Sequence, residues 1–292
     1  MRTAFIKLHL SILLAGFTGV LGKLILLPEV PLVWYRMLMT ALLFLGYLFL
    51  TGKLRRIAPG EALKIAGVGV LLTLHWIFFY GSIKYANVSV GVVCFALTGF
   101  FTALFEPIAF RRRVSAQEIC FSLLTLLGIV LIFHFDTRYR TGIILGVISA
   151  ALCASFTIGN KIVGKRHDSQ TMLLWQMLGG FLFISLVMPF FLHAFPQAVA
   201  LPTAGDLFYL FILASFCTIG MYLLQLQALE RISAFTVNLS YNLEPVYSIA
   251  IAMLFLGEAG ELGLAFYAGL ALICASVALQ TFVAWRQKPK FL

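Results

Sequence analysis

Two side chains with full charges, Arg36 and Glu244, stand inside long apolar runs of the sequence. A charge at membrane depth costs about 2.5–3.5 kcal/mol on insertion scales, so one that persists there has a function or a built-in partner. Arg36 lies about five residues into its run, and its fork of donors suits a carboxylate or a phosphate. The same fork could pair with Glu29 or cap neighbouring carbonyls. Glu244 precedes Pro245, which removes a backbone donor and interrupts a helix. A protonatable carboxyl at that depth could couple proton movement to transport; alternatively it stays protonated or hydrogen-bonded and steadies the interrupted helix. Glu106 is the second proton-coupling candidate, and Arg111, five residues on, offers it a salt bridge at the membrane surface.

Aromatic and polar residues adjoin these charges at helical spacing, which gathers them on single faces. His75, Trp76, Phe79 and Tyr80 form one group, Trp175 and Gln176 a second, and Tyr222 and Gln225 a third; Asn238, Tyr241, Asn242 and Ser248 surround Glu244. Rings supply contact area and amides fix orientation, which suits a moderately polar organic ligand. Each ring taken singly also reads as packing or as an interfacial belt. The candidate substrate-binding set is Arg36, His75, Trp76, Tyr80, Trp175, Gln176, Tyr222, Gln225, Asn238, Tyr241, Asn242 and Glu244. His75 has no partner at metal spacing, and Gly22-Lys23 lacks the rest of a phosphate loop. HExxH, GxSxG, paired Asp and His-Cys clusters are missing too, so no metal, no cofactor and no intramembrane enzyme chemistry is expected.

The elements that position these residues follow from composition. Of 292 residues, 62% are hydrophobic and 11% charged, with a mean hydropathy of +1.01; soluble proteins carry about 25% charged residues. The apolar residues come in runs of about 20, enough to cross a hydrocarbon core about 30 Å thick. The sequence predicts an all-α polytopic membrane protein with ten spans, near 5–26, 31–51, 62–83, 88–110, 117–135, 141–163, 171–195, 204–229, 235–256 and 262–285. The net charge of +10 is scattered through short connectors, which argues against nucleic acid as a partner. With the amino terminus inside, 16 Lys and Arg fall on the inner side against Lys84, Arg138 and Arg140 outside. Both termini are therefore expected in the cytoplasm. Cys94, Cys120, Cys153, Cys217 and Cys274 all lie in apolar runs and read as packing residues. Gly16-xx-Gly19-xx-Gly22 and Gly142-xxx-Gly146 read as sites of close helix packing.

The two halves resemble each other. An offset of 146 residues superposes Lys84–Val90 on Glu230–Thr236 and keeps both connectors of spans 4 and 9 in phase. An offset of 138 instead superposes Lys23 on Lys161 and Glu106-Pro107 on Glu244-Pro245; the first register is preferred for spans 4 and 9, and unequal loops let Lys23 and Lys161 correspond as well. Five spans per half turn the second half upside down relative to the first, so residues 1–137 and 138–292 are expected to be inverted repeats. That arrangement typifies alternating-access transporters.

The stretch Phe79–Ser89, the segment Ala228–Ala234 leading through Asn242-Leu243-Glu244-Pro245-Val246 to Leu256-Gly257-Glu258, and Arg36 in span 2 resemble the drug/metabolite transporter superfamily, in particular its EamA-type ten-helix members. Gly99 stands where the first-half family proline would be, Arg111-Arg112-Arg113 replaces a Gly-Glu-Arg ending, and Gln176 lies near the place of an Arg36 counterpart. The resemblance implies a secondary transporter of the bacterial inner membrane that exports or exchanges a small metabolite such as an amino acid or nucleobase. A phosphorylated anion held by Arg36 is the alternative substrate, and an intramembrane enzyme or a scaffold are remoter readings. The partners expected are a small-molecule substrate, the lipid bilayer and, in some arrangements, a second copy of the chain.

Overall fold

A computed structural model describes residues 2–113, 139–198, 201–241, 243–256 and 264–286, together with 119–120, 123–124, 126–128 and 130. The named elements are all helical: α1 (Arg2–Leu24), α2 (Glu29–Leu50), α3 (Pro59–Tyr85), α4 (Val88–Phe95), α5 (Thr98–Phe110), α6 (Arg140–Val163), α7 (Ser169–Ala194), α8 (Ala204–Ala214), a π-helical segment (Ser215–Gly220), α9 (Met221–Leu229), α10 (Ala234–Tyr241), α11 (Glu244–Leu256) and α12 (Leu264–Arg286). Among the described residues, seven stretches are long and apolar enough to cross a membrane, counting Val88–Phe110 and Ala204–Leu229 as single units. Glu244–Phe255 and Tyr267–Ser276 are shorter apolar helices. The span expected near 117–135 falls mostly outside the described residues.

Helix starts follow local chemistry. Pro59 opens α3, where its missing N–H costs nothing. Asp168 caps α7 by accepting from the amides of Gln170 and Thr171 at 3.1 and 3.0 Å. Thr203 and Asp206 form a reciprocal capping box at α8. Successive spans alternate in direction and define two faces. On face B, the amide of Leu26 donates to Asp206 Oδ1 at 2.7 Å and Lys84 donates to the carbonyl of Ile25. On face A, Lys161 Nζ donates to the carbonyls of Leu229 and Ile232 at 2.6 and 2.8 Å. Arg55 also reaches Asp168 there, at 3.1 Å. Burial pushes the Asp168 carboxyl up, but the bonds from Thr171 and Gln170 and the charge of Arg55 hold it below the usual carboxylate range. Glu106 is ion-paired on this face, but with Arg112 at 3.2 Å rather than with Arg111. Arg111 adopts the left-handed conformation (φ 51°) that ends α5, and its successor supplies the guanidinium.

Spans 4 and 9 are each broken in the same way. α4 and α10 have 8 residues, α5 and α11 have 13, and every boundary of one pair lies 146 positions from its counterpart. Each break is a tight turn, closed by Leu97 N to Cys94 O at 3.1 Å and by Leu243 N to Ser240 O at 3.1 Å. Each span is opened by a side-chain cap, Asn87 Oδ1 accepting from Val90 N at 2.8 Å and Ser233 Oγ from Thr236 N at 3.1 Å. α4 packs on α11 and α5 on α10, so the two broken spans lie side by side and run in opposite directions. Glu106-Pro107 sits near the face A end of α5 whereas Glu244-Pro245 sits at the break, so these two pairs occupy different places.

Small residues set the closest approaches. A Cβ on Gly16 would stand 2.9 Å from Tyr247 Cβ, and Ser248 Oγ donates to the carbonyl of Gly16 at 2.5 Å. α3 makes its most extensive contacts with α6 and α7, and Gly69 meets the backbone of Gln176 there.

Candidate functional site

The breaks in spans 4 and 9 border a small cavity of ≈ 40 Å³. Seven spans line it: Ala15 and Thr18 from α1, Arg36 from α2, His75, Trp76 and Phe79 from α3, Phe95 from α4, Cys153 and Phe156 from α6, Met221, Tyr222 and Gln225 from α9, Tyr241 from α10 and Glu244 from α11. At one water per about 10–15 Å³, the space holds a few water molecules and no metabolite.

Most of this wall comes in corresponding pairs. His75, Trp76 and Phe79 lie 146 positions before Met221, Tyr222 and Gln225, and Phe95 lies 146 before Tyr241. Ala15 and Thr18 lie 138 before Cys153 and Phe156. The offset grows along the chain mainly because α7, with 26 residues, is longer than α2, with 22, and the connectors add smaller differences. Both registers seen in the sequence are therefore used, each in its own spans. Arg36 and Glu244 depart from the pairing: Gln176, the eighth residue of α7 as Arg36 is of α2, lies outside the lining, and Thr98, 146 positions before Glu244, donates its hydroxyl to Phe95 O at 2.7 Å.

Arg36 is fully buried and fully engaged. Nε donates to Thr218 Oγ1 at 2.9 Å, one terminal nitrogen to Tyr80 Oη at 2.6 Å and the other to Cys217 O at 3.1 Å. Its guanidinium carbon lies 3.5 Å from the centre of the Trp76 ring, a cation–π geometry that offsets lost hydration. The partners expected among neighbouring carbonyls are found in the π-helical segment, where the widened turn leaves carbonyls without their usual α-helical donors. Thr218 Oγ1 in turn donates to Leu213 O at 2.7 Å. One guanidinium thus joins α2, α3 and the segment between α8 and α9, closing the cavity towards face B.

Glu244 is 4% exposed and, among the described residues, has no side-chain hydrogen bond or ion pair. Arg36 is near enough for the two charges to interact. His75 Nδ1 faces Ser149 Oγ at 2.8 Å and Ser149 O at 3.0 Å, while Ser149 Oγ donates to His75 O at 3.0 Å, so the ring is held in the wall. Tyr241 Oη donates to Ser11 Oγ at 3.0 Å. The Tyr222 ring is edge-on to Trp76 at 5.7 Å and to Phe156 at 5.8 Å. Among the described residues Gln225 Oε1 has no hydrogen-bond partner, and Gln225 belongs to the wall, so this polar atom can serve an occupant of the cavity.

Of the twelve sequence candidates, Arg36, His75, Trp76, Tyr222, Gln225, Tyr241 and Glu244 converge on the cavity, and Tyr80 supports it through Arg36. Trp175 and Gln176 do not join them: Gln176 Nε2 donates to Asn160 Oδ1 at 2.5 Å, nearer face A. Asn242 and the side chain of Asn238 lie outside the described residues. Glu106 is held by Arg112. Thr218 was absent from the sequence candidates although it extends the Tyr222–Gln225 stripe upstream by one turn. Phe95, Cys153 and Phe156 carried no signal, because in an apolar run a wall residue and a packing residue look alike.

Asn160 also borders a larger vestibule at face A, of ≈ 320 Å³, lined by Lys161, Lys165, His167, Ser169, Met172, Leu226, Leu229 and Glu230 among others. Ser169 Oγ donates to Glu230 Oε1 at 3.0 Å across it. The vestibule at face A is therefore wider than the cavity.

The profile of the EamA-like transporter family matches residues 3–134 and 140–282. An "Uncharacterized transporter YxxF" of Bacillus subtilis is 24% identical over 282 residues, covering 95% of this chain and 89% of that protein. An "Uncharacterized transporter" of Haemophilus influenzae is 27% identical over 158 residues, 51% of each chain, so that match spans about half of the relative. A crystal structure superposes with a TM-score of 0.71 at 18% identity over 99% of this chain and all of that one, a likeness of fold.

Proposed function

The chain belongs to the EamA-like transporter family and is an integral membrane transporter; on that premise we propose that it is a ten-helix secondary transporter moving a small organic metabolite by alternating access. Residues 1–137 and 138–292 act as the inverted repeats, both termini and face A are cytoplasmic, and the membrane is the bacterial inner membrane. The observation that carries this reading is the pair of broken spans: two helices interrupted 146 residues apart, antiparallel, beside a cavity with paired walls. Discontinuous helices meeting at a buried site are how inverted-repeat transporters bind cargo.

The cargo binds between the rings of Trp76, Phe156 and Tyr222, with Gln225 and Glu244 fixing its polar groups. Glu244 takes up and gives back a proton as the cavity changes sides. The small cavity behind the Arg36 contacts and the wider vestibule on face A suit a state that faces the cytoplasm; efflux or exchange is the direction proposed. The competing reading, a phosphorylated anion clamped by Arg36, has less support because all three guanidinium nitrogens already have protein partners.

Thermal stability of the purified protein against amino acids, nucleobases, vitamins, sugar phosphates and cationic drugs identifies the ligand class, since a ligand of the folded state raises stability with occupancy. Flux of that ligand into liposomes under an imposed pH gradient then tests coupling. The expected result is gradient-driven flux in the wild type and none in Glu244→Gln. Equal gradient-driven flux in both would remove Glu244 from the coupling.

A further inference from the structure

Span 3 closes tightly on span 7, because Gly69, Gly179 and Gly180 leave no room for side chains against Gln176, Ala66 and Thr73. The corresponding interface between span 8 and span 2 does not close. Ser215 stands 146 positions after Gly69, and Leu43, Phe44, Tyr47, Phe211, Ile219 and Leu223 leave an apolar groove of ≈ 270 Å³. Phe44 is its buried floor, and Tyr47 and Phe211 are exposed along it. Ser215 Oγ is turned to Phe211 O at 2.6 Å, so its hydroxyl is satisfied within the wall.

The groove lies in the half of these helices that approaches face A. One wall runs from Phe211 to Leu223 and the other from Leu43 to Tyr47, about 6 Å at 1.5 Å per residue. It runs towards face A, where Lys53 Nζ lies 5.8 Å from the centre of the Tyr47 ring and Arg55 and Arg56 follow in sequence. An apolar slot ending at the cation of Lys53 is complementary to a lipid with a long chain and a negative headgroup.

We propose that this groove is a binding site for an anionic phospholipid, whose acyl chain lies between α2 and the π-helical segment and whose phosphate meets Lys53. The chain then supports one side of a segment whose Cys217 carbonyl and Thr218 hydroxyl are held by Arg36. The proposal needs only that these helices span a membrane and is independent of what the cavity transports.

Native mass spectrometry of the purified full chain tests it, with phosphatidylglycerol and phosphatidylcholine of identical acyl chains added in equal amounts. The wild type should retain phosphatidylglycerol over phosphatidylcholine by about fivefold, the weight of one lysine at a membrane surface. Lys53→Gln should bring the ratio to about one, and Lys7→Gln, on the same face but away from the groove, should leave it unchanged. Ile219→Trp, checked for unchanged thermal stability, should fill the slot and reduce retention of both lipids. Equal retention of the two lipids by the wild type, an unchanged ratio in Lys53→Gln or undiminished retention in a folded Ile219→Trp would overturn the proposal. A lipid-free dimer would also overturn it, by assigning the groove to a second copy of the chain.

Discussion

Val88–Phe110 and Ala234–Leu256 follow one backbone plan, yet the residue that restarts the helix is Thr98 in the first half and Glu244 in the second, followed by Gly99 and Pro245. Both spans break at the same place, so a proline at that position is not what makes the break. The turn bonds from Leu97 and Leu243 are equivalent, and the caps at Asn87 and Ser233 fix where each span begins. What differs is the use of the side chain. Thr98 spends its hydroxyl on Phe95 O, whereas Glu244 points a carboxyl into the cavity. Arg36 and Gln176 repeat the lesson: one faces the cavity, while its counterpart bonds Asn160 beyond the lining. The two broken spans share their architecture and not their charge.

That contrast can be strained most by making Arg36 resemble its counterpart. Arg36→Gln should lower stability by about 3 kcal/mol, because Cys217 O, Thr218 and Tyr80 lose a charged donor together. Gln176→Ala should cost less than half as much; equal losses in thermal or denaturant unfolding would show that the two halves carry equal polar weight. Next, Gly69→Leu should cost about 2 kcal/mol by overpacking against the Gln176 backbone, while Ser215→Leu, at the groove, should stay within about 0.5 kcal/mol. A strongly destabilising Ser215→Leu would mean that the groove is closed in the membrane.

Smaller effects test the breaks themselves. Glu244→Gln should lower substrate flux at least about tenfold, equivalent to about 1.4 kcal/mol, with Thr98→Ala within about twofold; parallel losses in liposome assays would make the break residue structural in both halves. Asn87→Ala should cost about 1 kcal/mol as a lost helix cap. Ser233→Ala should cost less, since Asn87 is 4% exposed and Ser233 lies open to water, which can replace the lost bond. Amide exchange at Val90 and Thr236 reads the two caps separately.

Much of this was legible before any coordinates. Long apolar runs separated by basic connectors can be satisfied only as membrane helices, so the seven stretches long and apolar enough to cross were fixed by composition and spacing to within a few residues, while the spans expected near 235–256 and 262–285 correspond to shorter apolar helices among the described residues. The 146-residue register was visible in the connectors of spans 4 and 9, and the stripes on spans 3, 8 and 9 named half of the cavity wall. Arg36 was legible from its charge, and the rest was hidden because residues such as Phe95, Phe156 and Cys153 have the composition of any lipid-facing or packed position. Trp175 and Gln176 were misleading for the complementary reason: a polar residue in an apolar run must be satisfied, and Asn160 satisfies Gln176 away from the cavity.

The sequence by itself determined that the chain is helical and membrane-embedded and that Arg36 and Glu244 are exceptional, because burying a charge in lipid is costly enough to be read from one residue. Only the tertiary structure decided what each charge does. Arg36 meets a π-helical segment 181 and 182 residues away in the chain, and no local pattern foretells that a widened turn there will leave a carbonyl for it. Glu244 stays without such a partner among the described residues because the antiparallel packing of α4 on α11 and α5 on α10 places it at the cavity, and that packing is a long-range outcome that helical periodicity does not specify.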